Sequence, residues 1–311
     1  MRPSVAPARV PAPWFCQRQK GPSPRTLAAM PELPEIKAHA ERLADNWMGA
    51  ELTAFRPLHL TALKTYSPQP KEAYGRGLTG TGNRGKYLYL HFGDEDQPLT
   101  FVVHLMQGGR LRPDPKQSKK PRGGMARWVF ADGGALMLTE AGTEHKAGVW
   151  LVGGDPDGQE PVDHLGPDAD SITREGLETA LQSDNTRVHG FLRDQRRIAG
   201  IGRLLSNEIL FHAKLSPFAM TKKMPSGDID RLHDSMVEVI ARHIDFERTL
   251  DDIGKSADRP SAVHHRIGFG CQDCDDEVRS VEYRRYTVAY CPTCQTGGKE
   301  LADNTTSKFL K

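Results

Sequence analysis

The chain has 311 residues with 42 basic and 40 acidic side chains, which gives a formal net charge of +2. This length predicts more than one domain, and the balanced charge argues mildly against a surface that is basic throughout, although a local basic groove can still exist. No apolar run approaches the roughly 20 residues that cross a bilayer, so we expect no membrane partner.

The first 29 residues differ in composition from the rest of the chain. They hold five Lys/Arg and no Asp/Glu, they are rich in proline, and they lack the apolar core of a secretory signal. We interpret residues 1–29 as a disordered leader or as a misassigned start, and organellar targeting stays open. Without them the chain has 37 basic and 40 acidic residues, a net charge of −3.

A second start site is indicated by Met30 and the Pro-Glu pair that follows it. If translation begins at Met30 and the methionine is removed, Pro31 becomes the first residue and its secondary amine is free. An amine beside a helix N-terminus and the Glu32 carboxylate can form a Schiff base with a sugar aldehyde. If translation begins at Met1, Pro31 is an ordinary tertiary amide and cannot react.

The next segments alternate in a way that predicts a β-rich block over residues 30–152. Apolar residues spaced near 3.6 predict a helix first, and strand-like runs follow it, with hairpin turns at 93–96 and 132–134. The predicted elements are a helix at 34–47 and strands at 86–92, 99–105, 127–130, 135–138 and 149–152.

The pattern then becomes helical. A glycine-rich stretch places the domain boundary in a linker at 153–170, and a helical domain spans 171–255. Its predicted helices are 173–183, 186–194, 203–213 and 227–246. Gly200 and Gly202 would permit a tight turn before the third of these helices, whose backbone amides could then point at an anion. A plain turn between helices is the other interpretation of this Gly-x-Gly.

Four cysteines have the spacing of a metal site. Cys271-x2-Cys274-x16-Cys291-x2-Cys294 is typical of one structural Zn²⁺ held by two tight turns that close a β-hairpin. We therefore expect a zinc finger over 263–296 and a polar tail over 297–311. The hairpin carries Tyr283-Arg-Arg-Tyr-Thr287, which is either a solvated charged turn or a nucleic-acid contact.

Separated segments in the right order resemble the formamidopyrimidine-DNA glycosylase/endonuclease VIII family. The resemblance rests on the four-cysteine finger together with motifs upstream of it. These motifs are Pro31-Glu-Leu-Pro-Glu-Ile36, Arg84-Gly-Lys-Tyr-Leu-Tyr-Leu90, His104-Leu-Met-Gln-Gly-Gly-Arg-Leu111, Leu165-Gly-Pro167, Ile198-Ala-Gly-Ile-Gly202, Ser206-Asn-Glu-Ile-Leu-Phe211, Leu215-Ser-Pro217 and Val263-x2-Arg266-x-Gly268.

The resemblance implies a multidomain α+β fold, with an N-terminal β-sandwich flanked by helices, a helix–two-turn–helix domain and a C-terminal zinc-finger β-hairpin. It also implies a monomeric base-excision-repair DNA glycosylase with AP lyase activity, located with the nucleoid in the cytoplasm if the source is bacterial. Its partner would be double-stranded DNA with a damaged base or an abasic site, bound in the cleft between the lobes.

Residue roles follow from the same resemblance. Pro31 would be the nucleophile, Glu32 the acid that protonates the sugar oxygen, Lys86 a group at the target phosphate and sugar, and Arg285 the finger arginine. The expected DNA-binding residues are Glu35, Met106, His145, Lys146, Arg203 and Asn207. Structural alternatives are an exposed helix carboxylate for Glu35, a surface strand lysine for Lys86 and a core side chain for Met106.

Three positions depart from the family pattern. The loop that usually carries an Arg-Arg-Phe wedge reads Glu144-His-Lys-Ala-Gly148, and Ala147 cannot intercalate as a phenylalanine would. Arg203 stands where an asparagine is usual. Arg285 lies six residues before Cys291 instead of five, which we explain by a one-residue bulge.

Two broader questions stay open. The segment between Thr249 and Val263 is short, which puts a preference for 8-oxoguanine in doubt and favours abasic sites or oxidised pyrimidines at least equally. The altered wedge and the negative charge would also suit a non-catalytic zinc-finger DNA-binding protein on the same scaffold.

Overall fold

The computed structural model describes residues 30–94, 96–141, 145–283 and 286–302, with Tyr283 described by its backbone alone. Its N-terminal part is a sandwich of two four-stranded antiparallel sheets, with strand orders β1-β6-β7-β5 and β2-β3-β4-β8. The strands are β1 (Leu52–Pro57), β2 (Leu78–Arg84), β3 (Tyr87–Phe92), β4 (Leu99–His104), β5 (Gly109–Pro113), β6 (Gly124–Phe130), β7 (Ala135–Glu140) and β8 (Gly148–Gly153).

Apolar side chains from both sheets meet in one core. Phe55, Phe101 and Trp128 pack edge-on or tilted there, with ring centroids 5.0–5.7 Å apart. The two predicted hairpins are present as β3–β4 and β6–β7. Three strands were not predicted, and β2 shows why, because Leu-Thr-Gly-Thr-Gly-Asn-Arg has two glycines and lacks the alternation of apolar and polar residues that marks strands.

The helical part contains α1 (Leu33–Trp47), α2 (Arg174–Ser183), α3 (Val188–Arg193), α4 (Arg203–His212) and α5 (Ser226–Arg248). Helix α1 belongs to the sandwich in sequence but also contacts α5. Its apolar side chains divide accordingly, since Ile36 and Leu43 enter the sandwich core and Leu33 enters the core of α2–α5. The first turn of α1 therefore lies at the junction of the two domains.

The C-terminal unit is a hairpin of β9 (Arg279–Tyr283) and β10 (Tyr286–Tyr290), followed by the short helix α6 (Pro292–Thr296). Phe211 of α4 packs against its small core. Gln295 also donates a hydrogen bond to the carbonyl of Leu215, 2.9 Å away. No helix in the described part of the chain is both long and apolar enough to cross a membrane.

Candidate active site

Glu32 has its carboxylate on the N-terminus of α4. Its two oxygens accept hydrogen bonds from the amides of Gly202 (2.7 Å), Leu204 (3.0 Å) and Leu205 (3.1 Å). The first amides of a helix have no partner within the helix and carry a partial positive charge, so a carboxylate satisfies both needs. This corrects our expectation of an open anion site at this turn, because the chain's own Glu32 occupies it.

The glycines of the turn allow this approach. A methyl group on Gly202 would lie 2.3 Å from the carboxyl carbon of Glu32, and one on Gly200 would lie 2.6 Å from Leu33. Gly200 also has a φ of +100°, and its carbonyl accepts a hydrogen bond of 3.0 Å from the Leu33 amide. The segment next to Pro31, which is itself buried, is thereby held on the helical domain.

The turn that carries Lys86 is fixed to a different segment of the helical part. Asp168 forms an ion pair with Arg84 and accepts a hydrogen bond of 2.9 Å from the Gly85 amide. Arg84 also donates to the carbonyl of Gly166, 2.7 Å away. The β2–β3 turn is therefore held in place by the two residues that directly precede the lysine.

Lys86 lies in the β2–β3 turn and is partly exposed. Desolvation lowers its pKa, while the charge of Glu32 acts in the opposite direction. The alternative of an ordinary surface lysine stays open, and the interaction with Glu32 places the Lys86 ammonium within electrostatic reach of the Glu32 carboxylate.

Met106 lies in a strained turn directly after β4, two residues beyond His104. Its φ is +51°, which is uncommon outside glycine, and it packs partly against the sandwich core. The Met106 amide donates to Nδ1 of His104, 3.1 Å away. Burial and then the charge of Lys86 lower the pKa of His104 to about 4, so the ring is neutral and accepts this bond.

Glu35 lies one turn along α1 and is fully buried, so the exposed carboxylate that we considered is wrong. One oxygen accepts a hydrogen bond of 3.1 Å from the Glu32 amide, and the other pairs with Arg259. Burial raises the pKa of Glu35 to about 7, although the charge of Arg259 acts against it. Glu247 of α5 is buried nearby, and burial raises its pKa too.

Asn207 and Glu208 connect α4 to the segment before the finger. The Glu208 carboxylate accepts from the amides of residues 262–264 at 2.6–3.1 Å. Asn207 is buried, and its amide group contacts His189 at 3.1 Å and His264 at 2.9 Å. The structure gives Asn207 a bridging position, and its contact with DNA stays a prediction.

The remaining expected DNA-binding residues are dispersed. Arg203 is exposed at the first turn of α4 and Lys146 is exposed before β8. His145, with a φ of +49°, stacks on His59 with ring centroids 4.8 Å apart. Ala147 is fully buried, so it offers no wedge.

Glu144 and Arg285 lie outside the described residues. The paired residues of β9 and β10 keep one register from Tyr286 to Tyr290. The one-residue bulge that we expected is therefore not found in that stretch. The role of Arg285 stays a prediction.

The four cysteines converge. Their sulfur atoms all lie within 4.8 Å of one another, and the distances Cys271–Cys294, Cys274–Cys291 and Cys274–Cys294 are 3.8, 3.5 and 3.6 Å. A tetrahedral metal with M–S bonds near 2.3 Å requires sulfur atoms about 3.8 Å apart. The donor set and its spacing therefore fit a closed four-thiolate site.

Sequence reasoning did not single out His104, Asp168 or Arg259. His104 and Asp168 do stand inside or beside quoted motifs, so their position was the available signal. Arg259 lies in an irregular segment with no periodicity, and nothing in the sequence indicates that it reaches Glu35.

Comparison with known proteins now adds to this geometry. Residues 30–142 match the formamidopyrimidine-DNA glycosylase N-terminal domain, and residues 165–252 match the H2TH domain of the same glycosylases. Together these matches cover more than half of the chain. The protein belongs to the formamidopyrimidine-DNA glycosylase family of DNA-repair enzymes.

Individual relatives agree with this assignment. The formamidopyrimidine-DNA glycosylase of Mycolicibacterium smegmatis is 29% identical over 286 residues, 86% of this chain and 97% of that protein. An uncharacterised formamidopyrimidine-DNA glycosylase-like protein of Mycobacterium tuberculosis is 38% identical over 154 residues, 47% of this chain and 94% of that protein.

Solved structures support the fold. The Lactococcus lactis enzyme bound to abasic-site DNA superposes with a TM-score of 0.74 at 22% identity, covering 85% of this chain and 99% of that one. The same enzyme with DNA that contains an oxidised pyrimidine gives 0.74 at 23% identity, covering 86% and 100%. The predicted sandwich, helical domain and four-cysteine hairpin are all confirmed.

Proposed function

We propose that this protein is a bifunctional DNA glycosylase and AP lyase that uses the amine of Pro31 as its nucleophile. The observation that carries the proposal is the immobilised Glu32. The carboxylate of this residue, which directly follows Pro31 in the sequence, is fixed by three backbone amides, and Lys86 lies within electrostatic reach of it. The match to the glycosylase N-terminal domain also begins at residue 30, one residue before this proline.

The chemistry requires Pro31 to be the first residue. Its nitrogen then attacks C1′ of the damaged nucleotide, the bond from C1′ to the base breaks, and the base leaves with the proton that the Pro31 nitrogen gives up. Opening of the sugar ring, with a proton delivered to O4′ by Glu32, gives an iminium ion. This iminium withdraws electrons, so a proton is lost from C2′ and the 3′ phosphate leaves by β-elimination. Elimination of the 5′ phosphate follows.

The fixed position of Glu32 suits this role. A carboxylate that is held by rigid amides loses little entropy on reaching the reactive geometry. Lys86, on a turn fixed by Asp168, would contact the phosphate next to the reacting sugar. Met106 would fill the gap left by the flipped base, and Arg203, His145 and Lys146 would contact the DNA backbone.

We propose duplex DNA with an abasic site or an oxidised pyrimidine as the preferred substrate. Extrusion of a base costs a few kcal/mol, least for a weakened or missing pair. Residues 249–263 form a short connection, and Arg259 within it already pairs with Glu35. The connection therefore has little length left with which to cover a large flipped purine.

One structural zinc ion would be held by Cys271, Cys274, Cys291 and Cys294. Its binding supplies the folding energy that so small a core lacks. Loss of one ligand in Cys291→Ser should unfold the finger and weaken DNA binding. Retained affinity in that variant would contradict the finger's role as a DNA contact.

Borohydride trapping on abasic-site duplex tests the proposal. Three proteins are compared, namely the chain that starts at Met30 with the methionine removed, the full chain from Met1, and Pro31→Gly in the shorter form. We expect a covalent adduct with the first, none through Pro31 with the second, and a strongly reduced yield with the third. Salt-dependent duplex binding without any adduct would instead support a non-catalytic DNA-binding protein.

A further inference from the structure

Arg193, which no family motif in the sequence singled out, projects from the end of α3 toward the finger. Its guanidinium lies over the ring of Tyr286 in β10, with 3.7 Å between the guanidinium carbon and the ring centroid. Tyr286 is 41% exposed. The pair therefore connects the helical domain to the finger at an accessible surface.

The cations around this pair are not neutralised by ion pairs. Arg193 lies within electrostatic range of Lys86 and Arg203, and no carboxylate forms an ion pair with any of the three among the residues that the structure describes. The nearby acids have other partners. Both oxygens of Glu32 accept from amides of α4, Glu35 pairs with Arg259, and Asp194 accepts from the Arg196 amide.

The guanidinium also has unused donor capacity. Its Nε is buried and has no hydrogen-bond partner within the described part of the chain. Beside it lies a cavity of about 180 Å³, to which Thr186, His189, Gly190 and Asp194 contribute walls together with the pair. An arginine that is stacked on an aromatic ring keeps its planar edge free for a phosphate.

We propose that Arg193, held by Tyr286, is a binding site for a phosphate of the damaged DNA strand, next to the phosphate that Lys86 approaches. This rests on the proposed function, since it places the reacting sugar at Pro31. Because Arg193 belongs to the helical domain and Tyr286 to the finger, binding of this phosphate depends on both domains. Tyr286 acts by positioning the guanidinium, through the face of its ring and through its hydroxyl, which also interacts with Arg193.

The test is the salt dependence of binding to a duplex that contains a tetrahydrofuran abasic analogue, which cannot react with Pro31. Each phosphate contact contributes about 0.9 to the slope of log K against log salt concentration. Arg193→Gln should lower the slope by about that amount and weaken binding about tenfold at low salt. Arg193→Lys, which keeps the charge, should retain the slope.

Matched variants separate this role from a structural one. Tyr286→Phe, which keeps the ring under the guanidinium, should retain most of the wild-type affinity, whereas Tyr286→Leu should lose a larger part of the affinity that Arg193→Gln loses. Arg242→Gln removes an exposed charge that is paired with Glu238 on α5 and should change nothing. An unchanged slope in Arg193→Gln, or equal binding by both Tyr286 variants, would overturn the proposal.

The outcome is independent of the chemistry at Pro31. A protein that gives no borohydride adduct but shows the Arg193 slope change refutes the nucleophile and keeps the phosphate site. A protein that traps DNA with an unaltered slope in Arg193→Gln does the reverse.

Discussion

Two buried carboxylates three residues apart in the first turn of α1 are satisfied in different ways. Glu32 is bound by three backbone amides of α4, all within the turn at residues 202–205. Glu35 has one amide and the side chain of Arg259, with the second buried acid Glu247 nearby. Backbone amides at a helix end are fixed, whereas a side-chain partner on an irregular segment can be lost or moved.

The two carboxylates at this domain junction should therefore behave differently. The Glu32 carboxylate is rigidly held, and it belongs to the residue that follows the proposed nucleophile. The ion pair of Glu35 with Arg259 connects the same turn to the short segment before the finger. The Glu35 carboxyl changes its protonation near neutral pH. The first should resist changes in conditions, and the second should respond to them.

The largest effect on stability is expected from replacing Arg259, the cation that pairs with Glu35. Removal of one partner from a buried ion pair costs about 3–5 kcal/mol, so Arg259→Gln should lower the free energy of unfolding by about 4 kcal/mol at pH 8. The loss should be smaller at pH 5, where Glu35 is protonated and needs no cation. Urea unfolding at both pH values measures this.

Arg248→Gln is the control for that substitution. Arg248 of α5 pairs with Glu41 of α1 at the protein surface. Such surface pairs contribute at most about 1 kcal/mol. Equal losses in the two variants would contradict the buried role of Arg259.

Gly202→Ala should displace the Glu32 carboxylate from the backbone amides that hold it. The new methyl group would lie 2.3 Å from the carboxyl carbon of Glu32, so the carboxylate must leave its amides. We expect a loss of about 3 kcal/mol in unfolding free energy and a fall in the release of an oxidised pyrimidine, the step assigned to Glu32. Gly227→Ala in α5, where a methyl group meets nothing within 4 Å, should be neutral or slightly stabilising. A neutral Gly202→Ala would show that the carboxylate is not confined.

The contribution of Glu35 titration to the pH dependence of the unfolding free energy can be isolated with Glu35→Gln. Since folding raises the pKa of Glu35 from 4.5 to about 7, the stability that its protonated form contributes is complete below about pH 4.5 and is lost as the pH rises through 7. The glutamine keeps the neutral form. From pH 5 to pH 8 the variant should therefore gain about 2 kcal/mol relative to the wild type.

The control for this pH series is Glu41→Gln. Arg248 lowers the pKa of the Glu41 carboxyl, so that group stays charged throughout this range. Its difference from the wild type should be flat. A flat difference for Glu35→Gln as well would show that Glu35 titrates normally despite its burial.

The smallest effect on stability is expected from Glu32→Gln. The carboxamide oxygen can still accept from the amides of Gly202 and Leu205, but the carboxamide NH2 group cannot accept from the Leu204 amide. One hydrogen bond and the charge are therefore lost, at about 1.5 kcal/mol. Base excision should be lost, whereas trapping on a preformed abasic site should be retained. Comparison of release of an oxidised pyrimidine with trapping on abasic DNA checks this, and parallel loss of both would contradict a role limited to protonating the sugar.

The sequence was sufficient for part of this account. Motif order and cysteine spacing are local patterns, so the three units, the helices and the four-cysteine cluster could be predicted. The strand β2 could not, because two glycines interrupt its alternation. The turn at Gly200 and Gly202 was recognised, but its ligand was not, since Glu32 lies 170 residues away in sequence.

Long-range electrostatics explain the other omissions. Arg259 and Arg193 each acquire their role from a residue that the fold, rather than the local sequence, brings to them. The burial that raises the pKa of Glu35 is likewise a tertiary property.

The central claim is that the nitrogen of Pro31 bonds covalently to deoxyribose. Tandem mass spectrometry of the borohydride-reduced adduct locates the sugar remnant directly, in the protein that starts at Pro31. The account predicts the added mass on the N-terminal proline itself. A remnant on Lys86 or on any other amine, with an unmodified Pro31, would contradict it.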